Sequence, residues 1–388
     1  MNLFNKSDWT TNPVQNILAG LVTSIAIIPE VIGFSFVAGI NPAIGLMSTV
    51  ILSFIIAFVG GRPGMITGAA GAIAVLVGGL VTDYGLEYLF AASILAGFLQ
   101  VILGSLGVAR LMKYIPQAVM FGFFNALGLI IFLAQVPSIR QGNTLFFIFL
   151  ILGLGLLYLI PRYIQSIPAP LIVLAILTTA SWIFKLPMTR IGDLAPIQSS
   201  LPQMNLPNVP LTAASLKVIF PISLAIALVG LLETFLTMNL VDDMTHSKGD
   251  AKQEALGQGI ANIITGLFGG IAGCAMVGQS VINVKSGGTS RLSSFTTGFS
   301  LLCLLLLLSP IVSIIPMAVL VAIMITVSIS AIQWDSWSFV RNHPPYHGVA
   351  LLTTMIVVLL TNNLALGVGA GVLVFYGWQK LVPSATSK

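Results

Sequence analysis

Apolar stretches of about 20 residues, the length an α-helix needs to cross a bilayer, follow one another from residue 13 to residue 380 with short polar gaps between them. Fourteen such crossings would use roughly 280 residues. The chain has 388, so little remains for a domain outside the membrane. Charge points the same way: Asp, Glu, Lys and Arg make up 7% of the residues, against about 25% in a soluble domain, whose surface must be wetted. The expected fold class is an all-α polytopic membrane protein.

Other classes fall away on the same grounds. Cys274 and Cys303 lie in apolar stretches without metal-ligand spacing, read as packing residues, and imply no disulfide framework. The net charge of +5 reflects membrane orientation rather than a nucleic-acid partner. No HExxH, P-loop or nucleophile elbow occurs, so an enzyme is not expected. The first twelve residues lack the basic, apolar and small-residue order of a cleavable signal.

Apolar windows and loop punctuation predict helices over 13–39, 43–59, 84–108, 112–136, 143–160, 166–184, 215–242, 252–268, 289–310, 314–334, 345–361 and 363–380. Two further segments, 60–80 and 269–288, open with Gly-rich runs and leave only 10–12 helical residues each. They read as half-helices preceded by extended chain. Counted as crossings, segments 3 and 10 of fourteen, they put both termini on one side. Twelve of the sixteen basic residues then share that side, and Arg140, Lys185, Arg190 and Lys217 lie opposite. Basic residues concentrate on the cytoplasmic face. The chain is therefore expected as a multi-pass protein of the cell (plasma or inner) membrane with both termini in the cytoplasm.

The Pro-rich connection 185–212, predicted extracellular, divides the chain into 13–184 (spans 1–7) and 213–381 (spans 8–14). Seven crossings per half invert the second half relative to the first, as in many secondary transporters. Gly60-Gly61-Arg62-Pro63-Gly64 and Gly269-Gly270-Ile271-Ala272-Gly273 share a Gly-Gly-x-x-Gly pattern at an offset of 209, each just before a short segment.

Chemistry is sparse and localised. Glu30 and Glu233 lie well inside apolar spans, where an ionised carboxylate costs about 3 kcal/mol on insertion scales. Water, a cation or a proton must offset that cost, unless helix–helix hydrogen bonds satisfy the acid. Thr237, four residues after Glu233, shares its helix face, and with freed carbonyls the pair could form an oxygen cage for Na+. The short segments carry the opposite polarity. A helix that starts in mid-membrane presents unpaired N–H groups and the positive end of its dipole to an anion. Ala70, Gly71 and Ala72 open the first such helix, and Gly278, Gln279 and Ser280 the second; the competing role for these small residues is close helix packing. Asp242-Asp243 and the stretch Lys248 to Glu254 read as a wetted cytoplasmic face.

Residues 15–380 resemble the SulP anion transporters, the sulfate permease family. The likeness rests on Ile28-Pro29-Glu30 followed by Ala38-Gly39-Ile40-Asn41-Pro42, on Tyr114-Ile115-Pro116, Gln135-Val136-Pro137 and Ile167-Pro168-Ala169-Pro170, and on Gly257-Gln258-Gly259-Ile260-Ala261-Asn262 and Asn283-Val284-Lys285-Ser286-Gly287-Gly288, in that order. The resemblance implies a seven-plus-seven inverted repeat, with spans 1–4 and 8–11 as a core domain moving like an elevator against a gate of spans 5–7 and 12–14. It places a small inorganic anion, bicarbonate or sulfate, between the third and tenth segments, at Ala70, Gly71, Gly278, Gln279 and Ser280. It also likens Glu233 and Thr237 to the sodium site of bacterial bicarbonate transporters. Many relatives carry Arg at the position of Gln279; with Gln there nothing neutralises Glu233, so Na+ or H+ becomes the coupled ion. Relatives continue into a cytoplasmic STAS domain, which this chain is expected to lack. The expected partners are the anion, membrane lipid and a second copy of the chain, with no cofactor beyond bound Na+. The alternatives are an uncoupled channel or exchanger for chloride or bicarbonate, or a nucleobase permease of the same fold.

Overall fold

A computed structural model describes residues 7–164, 167–194, 204, 206–210, 212–361 and 363–381. Fourteen helices of nine residues or more run through them: α1 Pro13–Val37, α2 Pro42–Val59, α3 Gly71–Tyr84, α4 Leu86–Ser105, α5 Gln117–Leu133, α6 Thr144–Tyr163, α7 Ala169–Ile183, α8 Ala213–Thr245, α9 Ala251–Leu267, α10 Val277–Lys285, α11 Arg291–Ser313, α12 Met317–Ala331, α13 Pro345–Thr361 and α14 Leu364–Leu381. The bounds of the twelve ordinary spans lie within five residues of those predicted. Seven helices are long and apolar enough to cross a membrane by length and composition: α1, α2, α4, α6, α8, and α5 and α12 when the short helices after them are included. Residues 195–203, 205 and 211 of the predicted linker, and 382–388, where a STAS domain would begin, fall outside the described residues.

The helix starts follow local chemistry. Asn41 accepts from the Ala43 N–H and Pro42 opens α2, a combination that satisfies one orphan donor and removes another. Thr212 caps α8, Asp250 caps α9 through the N–H groups of Lys252 and Gln253, and Ser290 caps α11.

One element departs from an all-α fold. Thr67–Gly68 (β1) and Cys274–Ala275 (β2) form an antiparallel pair, Thr67 opposite Ala275 and Gly68 opposite Cys274. Extended chain inside a membrane protein cannot leave its N–H and C=O groups to lipid. The two stretches that precede α3 and α10 meet and pair with each other, and Met276 N–H extends the pairing to the Ile66 carbonyl at 2.8 Å. The Gly-Gly-x-x-Gly match is looser in three dimensions than in sequence. The left-handed residue is the last glycine of the first copy, Gly64 at φ +79°, and the opening glycine of the second, Gly269 at φ +68°.

Helices of one half pack mainly on helices of the other. The main partnerships between halves are α4 with α9, α1 and α2 with α11, α4 with α8, and α5 with α12 and α13; within the second half α13 packs on α14. At the α4–α9 crossing the backbones touch: a Cβ on Gly97 would stand 2.5 Å from the Gly259 carbonyl, and one on Gly259 2.6 Å from the Gly97 carbonyl. Small residues that allow such contact are the usual means of association between membrane helices. Many large aliphatic side chains also face outwards, among them Ile151 at 67%, Leu307 at 75% and Leu360 at 80% exposure. A surface so apolar needs a lipid solvent.

Candidate functional site

The strand crossing is held by side chains from the helices around it. Ser48 on α2 accepts from Ile271 N–H, Ser93 on α4 from Ala272 N–H, and Thr234 on α8 from Ala275 N–H, at 2.9, 2.9 and 3.2 Å. Asn262 on α9 takes Gly273 from both ends, accepting its N–H at 2.8 Å and donating to its carbonyl at 3.0 Å. The other strand is treated alike: Thr49 accepts from Ala69 N–H, Ser280 from Ile66 N–H, and Ser53 donates to the Thr67 carbonyl. Each bond satisfies a backbone group that the missing helical turns would have satisfied.

Beside this crossing lies a cavity of about 400 Å³ that brings Glu30 (α1), Ala70 and Gly71 (start of α3), Glu233 (α8) and Gly278 (start of α10) to one space. Phe34, Phe124, Ile131 and Ile323 form apolar walls, and Thr326, Ser330 and Gln333 add neutral polar groups from α12 and the chain after it. No basic side chain is among its described lining residues. Neither α3 nor α10 has a side-chain cap, so the first-turn N–H groups of both helices have no partner within their helices. Among the described lining residues, positive potential therefore comes from neutral dipoles, chiefly the two helix N-termini.

The remaining predicted site residues have other partners. Ala72 is fully buried and does not line the cavity. The Ser280 hydroxyl is committed to Ile66. Gln279 is fully buried with its amide beside the Glu30 carboxyl, and neither amide atom completes a hydrogen bond of good geometry. Thr237 shares the Glu233 face as predicted, but its hydroxyl donates to the carbonyls of Glu233 at 2.8 Å and Ala275 at 3.3 Å, not to the carboxylate. It offers oxygen lone pairs only. The donor to Glu233 is the Cys274 thiol, 3.1 Å from Oε2.

A further acid escapes the sequence reading. Glu254 is not part of a wetted face: it is fully buried in the first turn of α9. Its Oε2 accepts from the N–H groups of Gly61 and Arg62 at 2.7 and 3.0 Å, and its Oε1 accepts from Gln258. Asp242 likewise pairs with the buried Arg62 guanidinium at 2.6 Å. The signal lies in spacing: Glu254, Gln258 and Asn262 recur every four residues along α9, a polar stripe turned inwards.

The sequence profile described as the Sulfate permease family matches residues 14–146 and 140–344. YbaR of Bacillus subtilis, a protein provisionally named a sulfate transporter, is 46% identical over 368 residues, which are 95% of this chain and 77% of YbaR. The bicarbonate transporter BicA of Picosynechococcus is 26% identical over 413 residues, 96% of this chain and 71% of its own. The solved transmembrane domain of a cyanobacterial BicA superposes with a TM-score of 0.81 at 23% identity, covering 95% of this chain and 98% of that one. SLC26A9 gives 0.82 at 19% identity, covering 94% and 66%. The apolar helices, the paired strands between two short helices and these likenesses agree: the chain belongs to the sulfate permease family and is a multi-pass membrane anion transporter, not an enzyme.

Proposed function

We propose that the chain carries a small inorganic anion, bicarbonate or sulfate, by secondary active transport coupled to Na+ or H+. The observation that supports this most directly is the single cavity where two uncapped helix N-termini and two carboxylates meet without a basic side chain. A compact oxyanion suits the N-termini, since backbone N–H groups and the dipole favour negative charge. The acids repel the same anion. A cation or proton at Glu233 removes that repulsion, and in a low-dielectric cavity the effect is large. Anion and driving ion thus bind best together, the thermodynamic condition for symport.

In this reading all fourteen helices are membrane segments, with α3 and α10 as half-helices, both termini in the cytoplasm, and 13–184 and 213–381 as inverted repeats. The element order and the reciprocal partnerships, α4 with α9 and α2 with α11, support it. Spans 1–4 and 8–11 form the core that carries the site, and spans 5–7 and 12–14 the gate past which it moves. The cavity lies between core helices α1, α3, α8 and α10 and gate helices α5 and α12, where sliding would expose it to alternate sides. The names of YbaR and BicA favour sulfate and bicarbonate as substrates.

Uptake of labelled bicarbonate and sulfate into proteoliposomes tests the proposal. Saturable accumulation driven by an inward Na+ or H+ gradient is expected, and Glu233→Gln should bring it down to equilibration. Accumulation indifferent to both gradients excludes coupling, and a steady, non-saturating anion current would make the protein a channel.

A further inference from the structure

Cys274 reads in sequence as a packing residue, yet its thiol is the only donor to the Glu233 carboxylate among the described residues. Both groups are withdrawn from solvent, Cys274 completely and Glu233 to 8% exposure. The two differ in how firmly they are held. Cys274 sits on β2 opposite Gly68, and its neighbours Gly273 and Ala275 are fixed by Asn262 and Thr234. The Glu233 carboxylate hangs from α8 on a chain of rotatable bonds, whose freedom costs free energy to freeze. A thiol on the rigid partner fixes one carboxylate oxygen and leaves the other to the cavity. Thr237 cannot perform this task, because its hydrogen is directed to backbone carbonyls, and no basic group is among the described residues that line the cavity.

We infer that Cys274 is a positioning residue for the coupled cation: its thiol orients Glu233, so that the free carboxylate oxygen meets Na+ without prior ordering. The inference rests on the coupling role proposed above for Glu233, with Na+ as the ion. Preorganisation of this kind acts on affinity by reducing the ordering cost of binding. It should change the Na+ requirement and leave the turnover of the saturated carrier unchanged.

The test compares wild type, Cys274→Ala and Cys274→Ser in proteoliposomes and in detergent. In Cys274→Ala the Na+ concentration for half-maximal uptake should rise about fivefold, the scale of one weak hydrogen bond, with maximal rate unchanged. The Na+-dependent increase in thermal midpoint should need the same higher concentration, because the stabilisation depends on the ratio of ligand concentration to its dissociation constant. Cys274→Ser retains a donor of similar size and should restore the wild-type requirement. A Ser variant that behaves like Ala, or an Ala variant with unshifted half-saturation, overturns the inference while leaving coupling at Glu233 intact. Wild-type uptake and stability that ignore Na+ overturn the inference together with the Na+ reading on which it rests.

Discussion

The two short helices begin alike, each after a two-residue strand and each without a side-chain cap, but they are built differently. α3 is fourteen residues long and apolar, whereas α10 has nine residues and carries Gln279, Ser280 and Asn283 fully buried. Those polar groups reach into the opposite half: Ser280 accepts from Ile66 N–H, and Asn283 donates to the Gly64 carbonyl at 2.8 Å. Among the described residues α3 returns no such bond to the chain before α10. The space at the two N-termini differs as well. A Cβ on Gly71 would meet Phe34 at 2.8 Å, and a Cβ on Gly278 would meet nothing within 4 Å. Both termini line the cavity, but Phe34 stands against the first and the second has open space before it. Two copies of one device have diverged into a wall and a doorway.

Substitutions can break or sharpen that contrast. The largest effect is expected where a single side chain holds both backbone groups of one residue. Asn262→Ala orphans two buried backbone groups of Gly273 and should cost about 3 kcal/mol, read as a lowered thermal midpoint in detergent. Gly71→Ala must displace Phe34 and should cost about 2 kcal/mol by overpacking. Gly278→Ala has open space around it and should leave the thermal midpoint unchanged, while raising the half-saturating anion concentration about tenfold, or ~1.4 kcal/mol. Equal behaviour of the two glycine variants would erase the distinction between wall and doorway. The smallest effect belongs to Glu254→Gln, which keeps one acceptor oxygen for the Gly61 and Arg62 N–H groups. It should cost about 1 kcal/mol and leave the substrate half-saturation unaltered.

Helix positions were legible because hydropathy and loop punctuation report directly on the solvent around each segment. The short helices were legible for a related reason, as glycine runs interrupt spans that would otherwise be full length. An acid inside an apolar span and the start of a short helix are the two sequence features that lead to Glu30, Ala70, Gly71, Glu233 and Gly278, and these five residues line one cavity. What stayed hidden depended on partners distant in sequence. Glu254 looks like one more charge beside Lys248, Asp250 and Lys252, and only the turn at Gly61 and Arg62 buries it. The pairing of β1 with β2 joins residues more than 200 positions apart, and no local pattern in two residues announces a strand. Thr237 was placed on the correct face, but helix spacing does not say where a hydroxyl directs its hydrogen.

The side chains that hold the crossing also set a schedule for making the protein. Ser48, Ser93 and Gln100 are synthesised in the first half, and their partners, Ile271, Ala272 and Asn262, in the second. At about 5–20 residues per second they wait on the order of ten seconds or more for the chain that satisfies them. During that interval the nascent first half, with Ser48 and Ser93 bonded only to carbonyls of their own helices, holds the Gln100 amide without its partner, a polar group that lipid cannot solvate. It must remain beside the insertion machinery, or fold provisionally on itself, until residue 273 has entered the bilayer. Such a protein is completed only when its two halves close on each other, and its yield in the cell should be as sensitive to the supply of insertase as to the stability of the finished fold.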